Sequence, residues 1–127
     1  MTLSMLKVFL TGCDNNTEWQ LPWFIENYKK HNTIPIVLAD FGMSKEARAN
    51  AEEKFDLVIT VKSEAQGWFK KPRAILDATK LDGVKKVCWL DTDCEVTDDI
   101  SPIFNLSEYG KLGIVKDRPW RTRRSEL

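Results

Sequence analysis

Residues 85–99 read KKVCWLDTDCEVTDD, and they carry the densest chemistry in the chain. Asp91 and Asp93 offer two carboxylates one residue apart, with Glu95, Asp98 and Asp99 close behind. Paired oxygen donors of this kind suit a hard divalent cation, Mg2+ or Mn2+. Just upstream, Val87-Cys88-Trp89-Leu90 is a short apolar run bounded by Gly83 and polar residues, the pattern of a buried parallel strand. Ligand sites in open parallel sheets lie beyond the carboxyl ends of strands. The plain alternative is a solvated acidic turn. A bare Asp-x-Asp favours the turn, so the motif needs support from the rest of the chain.

The elements that would position these acids follow in order. Residues 5–11 predict a strand running into a turn-forming cluster at Gly12-Cys13-Asp14-Asn15-Asn16. A helix is predicted over 17–31, with Leu21, Phe24, Ile25 and Tyr28 on one face. Thr17 and Gln20 fit a capping box, while Pro22 belongs in a first turn. A second strand is predicted over 34–39, with Asp40 at its carboxyl end and Gly42 in the turn. Ser44 is the expected cap of a helix reaching Lys54, and 57–61 reads as a third strand. Residues 68–71 read as a loop, and Pro72 fits a first helical position. Ala74, Ile75, Ala78 and Leu81 form that helix's apolar stripe, with Gly83 as its stop. After the acidic strand come a helical turn at 102–106 and a last strand at 112–115. Trp19, Trp23 and Trp68 read as packing residues.

Strands alternating with helices predict an α/β domain, Rossmann-like, with a mostly parallel sheet and helices on both faces. Residues 1–117 are expected to form it, and 118–127 a basic tail carrying Arg118, Arg121, Arg123, Arg124 and Trp120. The tail either solubilises the chain or closes over a diphosphate. The 127 residues suffice for one core. Nineteen basic residues balance nineteen acidic ones, which argues against bulk nucleic-acid binding. No apolar run is long enough to span a membrane. Three cysteines, at 13, 88 and 94, lack metal spacing, and a reduced cytoplasmic setting is the expectation.

In this arrangement 11–14, Asp40 and 91–93 all fall on the carboxyl edge of the sheet. Backbone donors around Gly12, the carboxylates and a metal can together hold a nucleoside diphosphate. No Gly-x-Gly-x-x-Gly follows the first strand and no Gly-Lys-Ser/Thr loop exists, so dinucleotide and P-loop fingerprints are missing.

The ordered set of Thr11-Gly12-Cys13-Asp14, Asp40, Trp68-Phe69-Lys70-Lys71-Pro72-Arg73 and Trp89-Leu90-Asp91-Thr92-Asp93 resembles the nucleotide-binding half of a GT-A-fold glycosyltransferase. The resemblance covers nearly the whole chain. It implies a metal-dependent hexosyltransferase that transfers or slowly hydrolyses the sugar of a nucleoside diphosphate sugar, UDP-sugar by family habit. It also implies that Asp93 ligates Mn2+ or Mg2+, and that Asp91 meets ribose or metal beside Thr92. Thr11, Gly12, Cys13 and Asp14 would line the nucleoside pocket. Asp40 would approach base or ribose, and Lys71 or Arg73 would meet phosphate. Such enzymes continue into an acceptor-binding half that often supplies a histidine ligand. The only histidine here is His31, at the end of the first helix. The expectation is therefore a truncated or minimal form. Acceptor, catalytic base, donor sugar and oligomeric state stay unassigned.

Two other readings compete. Leu90-Asp91-Thr92-Asp93-x-x-Val96 also resembles a haloacid-dehalogenase-like phosphatase, with Asp91 as nucleophile and Asp93 as acid/base. That family needs later Ser/Thr, Lys and acidic residues, and only 34 residues follow Asp93. The other is a non-catalytic sugar-nucleotide-binding module.

Overall fold

The computed structural model describes residues 7–64, 69–106 and 110–113. Four parallel strands form one sheet in the order β3-β2-β1-β4. They are β1 (Lys7–Cys13), β2 (Ile36–Asp40), β3 (Leu57–Thr60) and β4 (Lys86–Trp89). Three helices connect them: α1 (Leu21–His31), α2 (Lys45–Lys54) and α3 (Lys70–Thr79). The expected α/β class with a parallel sheet is observed. β1 is central and runs two residues past its expected end, because Gly12 and Cys13 still pair with Ala39 and Asp40 of β2.

Residues of β1 alternate between two cores, as the period of a strand requires. Phe9 and Cys13 face α1 and α2, and pack with Phe24, Ile25, Tyr28, Ala51 and Phe55. Val8 and Leu10 face α3, and pack with Val37, Ala39, Ala74 and Ala78. Helices thus cover both faces. Phe104, in a 3-10 helix at Ser101–Leu106, closes the first core beside Phe9, ring centroids 4.8 Å apart. The Tyr28 hydroxyl donates to the Ile34 carbonyl, satisfying its one polar atom at the floor of that core.

The helix ends explain where the sequence was misleading. The predicted 17–31 helix begins as a 3-10 turn at Glu18–Gln20 and becomes α-helical at Leu21, which puts Pro22 in the first turn. The Thr17–Gln20 capping box does not form. Asp14 takes the capping role instead, its Oδ1 accepting the N–H groups of Asn16 (2.8 Å) and Thr17 (3.2 Å). Ser44 caps α2 as expected, accepting from the N–H of Ala47 at 3.2 Å. α3 starts at Lys70, so Pro72 is its third residue rather than its first. A first-turn position still has no intrahelical partner for the missing N–H.

Two expectations about side chains are overturned. Trp19 and Trp23 are 74% and 44% exposed. The inward stripe of α1 is Leu21, Phe24, Ile25 and Tyr28, which leaves position 23 on the outer face. Residues 111–113 join no strand, and 114–115 lie outside the described residues, as do Trp68 and the tail from 118. Among the described residues no helix is long and apolar enough to cross a membrane.

Candidate functional site

From β1 the chain steps outward to β2 and β3, then returns across the sheet through α3 to β4 on β1's other side. The order therefore reverses between β1 and β4. A cleft opens beyond the carboxyl ends at such a reversal, since the loops leave in opposite directions. The loops that leave here are Asp14–Thr17 from β1 and Asp91–Asp93 from β4. The expected carboxyl-edge placement of 11–14, Asp40 and 91–93 is what the register gives: Cys13 pairs with Asp40, and Leu10 with Trp89.

Asp91 is held by two side chains. Its Oδ1 accepts from Lys71 Nζ at 2.6 Å and from Trp89 Nε1 at 2.8 Å. Burial alone would raise its pKa, but the Lys71 and Trp89 bonds outweigh that and hold it below the usual carboxylate range. Oδ2 has no protein partner among the described residues. Asp93 is exposed, and ligand atoms of Asp91, Asp93 and Cys94 all lie within 4.8 Å of one another. Thr92, between the two acids, is 8% exposed and turns inward to donate to Gln20 Oε1 at 2.6 Å.

The donor set fits a hard cation. Two carboxylate oxygens are the number Mg2+ or Mn2+ commonly takes from protein, leaving its other positions to water and phosphate. Cys94 is the odd member. Burial first, then Asp91 and Asp93, push its thiol pKa up, and a sulfur donor suits softer metals than these.

Above the edge stands a group of rings and lysines that periodicity did not single out. Phe41 and Trp89 lie with centroids 6.4 Å apart, Lys70 Nζ 5.9 Å above the Phe41 ring and Lys71 Nζ 5.5 Å above that of Trp89. Gly12 lies beneath the rings: a Cβ there would stand 2.5 Å from Phe41 Cε2 and 3.0 Å from Trp89 Cη2. Glycine at this position is what lets the rings settle on the strand. The signal available in sequence was parity. Trp89 and Asp91 are two residues apart in an extended segment, and so share a side.

The remaining sequence-selected residues are placed less openly. Thr11 is fully buried, and its Oγ1 has no partner among the described residues. Cys13 is 2% exposed, and burial, with Asp40, Glu18 and Asp14 nearby, pushes its thiol up to about 12. Asp14 Oδ1 serves its own turn. Asp40 is held by Gly42 N–H (2.8 Å), Met43 N–H (2.6 Å) and Arg48 Nη1 (2.9 Å). Arg73 pairs along its helix with Asp77 at 3.1 Å. The structure thus brings together Gly12, Lys71, Asp91, Thr92 and Asp93, and gives Asp40 and Arg73 other partners.

A groove of about 520 Å3 runs between α1 and α2, floored by Leu21, Ile25, Ala51 and Phe55. None of the three candidate metal ligands lines it, and Glu18 on its wall is already bonded to Ser44 N–H and Oγ. Its character is that of a helix–helix seam.

No protein-family model matches the chain, and no curated protein matches it in sequence.

Proposed function

We propose that the chain is the nucleotide-binding part, or a minimal form, of a metal-dependent GT-A-type glycosyltransferase that binds a nucleoside diphosphate sugar, a UDP-sugar first among them. The observation that carries this reading is the position of Asp91 and Asp93, at the reversal point of a parallel sheet. One carboxylate is oriented by Trp89 and Lys71, and the other stands open to solvent. Mg2+ or Mn2+, held by Asp93 and the free oxygen of Asp91, would supply charge neutralisation for a departing diphosphate. The chain's own contributions are distinct. Gly12 lets Phe41 and Trp89 pack down on β1, from where the Trp89 N–H reaches Asp91. Lys71 reaches the same place with a mobile positive charge. Cytoplasmic location belongs to the same proposal, and three free thiols suit a reducing compartment.

Titration calorimetry with UDP tests this directly. Binding is expected with Mn2+, lost with excess chelator, and lost in Asp93→Asn, whose circular dichroism should match wild type because Asp93 lies outside the core. Equal UDP affinity with and without metal overturns the metal-bridged site. Incubation with UDP-sugars then separates the transferase, which releases UDP, from a module that only binds.

A further inference from the structure

A positive charge already sits on Asp91. Lys71, the second residue of α3, places its ammonium 2.6 Å from Oδ1 while lying 5.5 Å above the Trp89 ring. Trp89 donates to the same oxygen at 2.8 Å. The two donors differ in freedom. The indole is wedged against Phe41 and Gly12, whereas the lysine side chain is 35% exposed on a flexible stem.

Building on the reading above, we propose that Lys71 is a resident counter-ion: a divalent cation must displace it from Asp91, and the phosphate of the incoming nucleotide then takes it over. The argument is one of like charges. An ammonium on Oδ1 and a divalent ion on Oδ2 of one carboxylate repel across a few ångströms, and only the ammonium can swing away. Released, it stays at the carboxyl edge of the sheet, where a diphosphate would add negative charge, and pairs there instead. Trp89 keeps the carboxylate in place throughout, so the exchange moves one side chain and no backbone. Metal and nucleotide then favour each other's binding, because each removes a cost the other would meet.

This makes one substitution act with opposite signs. Lys71→Met keeps the stem and removes the charge. Without nucleotide it should bind Mn2+ roughly 2- to 5-fold more tightly than wild type, the size of a partly exposed ion pair. At saturating Mn2+ it should bind UDP about 10-fold more weakly, the size of a lost charged hydrogen bond. Lys70→Met makes the same change in charge one residue away, over Phe41 rather than Asp91, and should shift neither affinity by more than about 2-fold.

The experiment uses the full chain. Free Mn2+ is counted by its paramagnetic resonance signal, and UDP is then titrated by calorimetry at saturating Mn2+. Lys71→Gln serves as a second variant in case methionine disturbs the fold. Both opposite shifts, absent in Lys70→Met, support the exchange. Unchanged Mn2+ affinity in Lys71→Met, with Asp93→Asn still abolishing binding, overturns the lysine's role and leaves the metal site standing. Tighter Mn2+ with unchanged UDP overturns the transfer to phosphate, and with it the proposal. No Mn2+ binding in wild type or variant overturns the metal site and the exchange together.

Discussion

Thr92 Oγ1 donates to Gln20 Oε1 at 2.6 Å, tying the loop after β4 to the start of α1 across 72 residues of sequence. Because Thr92 turns inward, its neighbours Asp91 and Asp93 are left on the outer side of the loop. The tether therefore presents both carboxylates, although it carries no charge itself. It also accounts for the failed capping box. Gln20 cannot reach back to cap its own helix while its oxygen is held by Thr92.

Thr92→Val should test this tether, since it keeps shape and removes the hydroxyl. A stability loss of about 1 kcal/mol is expected, with Gln20 left without its donor. Mn2+-dependent UDP binding should weaken more than stability alone explains, because the two acids lose their fixed relation. Thr92→Ser should recover most of the affinity. Urea denaturation and calorimetry together measure this. A valine variant that binds as wild type would make the bond merely structural.

Gly12→Ala places a methyl group within 3.1 Å of three atoms, on Phe41, Trp89 and the Ala39 carbonyl. The carbonyl is fixed by pairing with β1, so the rings must move. Overpacking of this kind costs about 1–3 kcal/mol. Displacing Trp89 also takes its N–H away from Asp91, so metal affinity should fall alongside stability. Thermal unfolding within about 0.5 kcal/mol of wild type would mean that the rings yield freely and that glycine is not required there.

The fold was legible because its signals are local and repeated. Leu21, Phe24, Ile25 and Tyr28 point inward at helical spacing, and β1 alternates between two cores. The two tryptophans near α1 depart from expectation because bulk suggests burial, while position relative to the inward stripe decides it. At the edge, the sequence gives residue types but not partners. Asp40 ends β2 and Asp91 follows β4, and nothing in their neighbours says that Arg48 engages one and Lys71 the other. Those pairings depend on how α2 and α3 are carried over opposite faces, which is settled only when the chain packs.

Asp40 yields the pH prediction. It is nearly buried, its side chain 10% exposed, and that burial opposes ionisation. The N–H groups of Met43 and Gly42 and the Arg48 guanidinium outweigh it, and hold the carboxyl below its usual range. Between the lowered folded value and the ordinary unfolded value near about 4, the unfolded chain binds more protons, so stability rises with pH there. The contribution is complete above about 4 and is lost as pH falls through the folded value. Asp40→Asn should therefore cost about 1–3 kcal/mol at pH 7, where the charged bond to Arg48 is lost. The gap to wild type should close on acidification, because protonated Asp40 resembles asparagine in charge. Asp91→Asn, at a side chain 47% exposed, should show a smaller gap with the same trend. Urea denaturation of the three proteins at several values between about pH 2.5 and 7 separates these outcomes. A gap for Asp40→Asn that stays constant across that range would show that shape, rather than charge, is what Asp40 contributes at the end of β2.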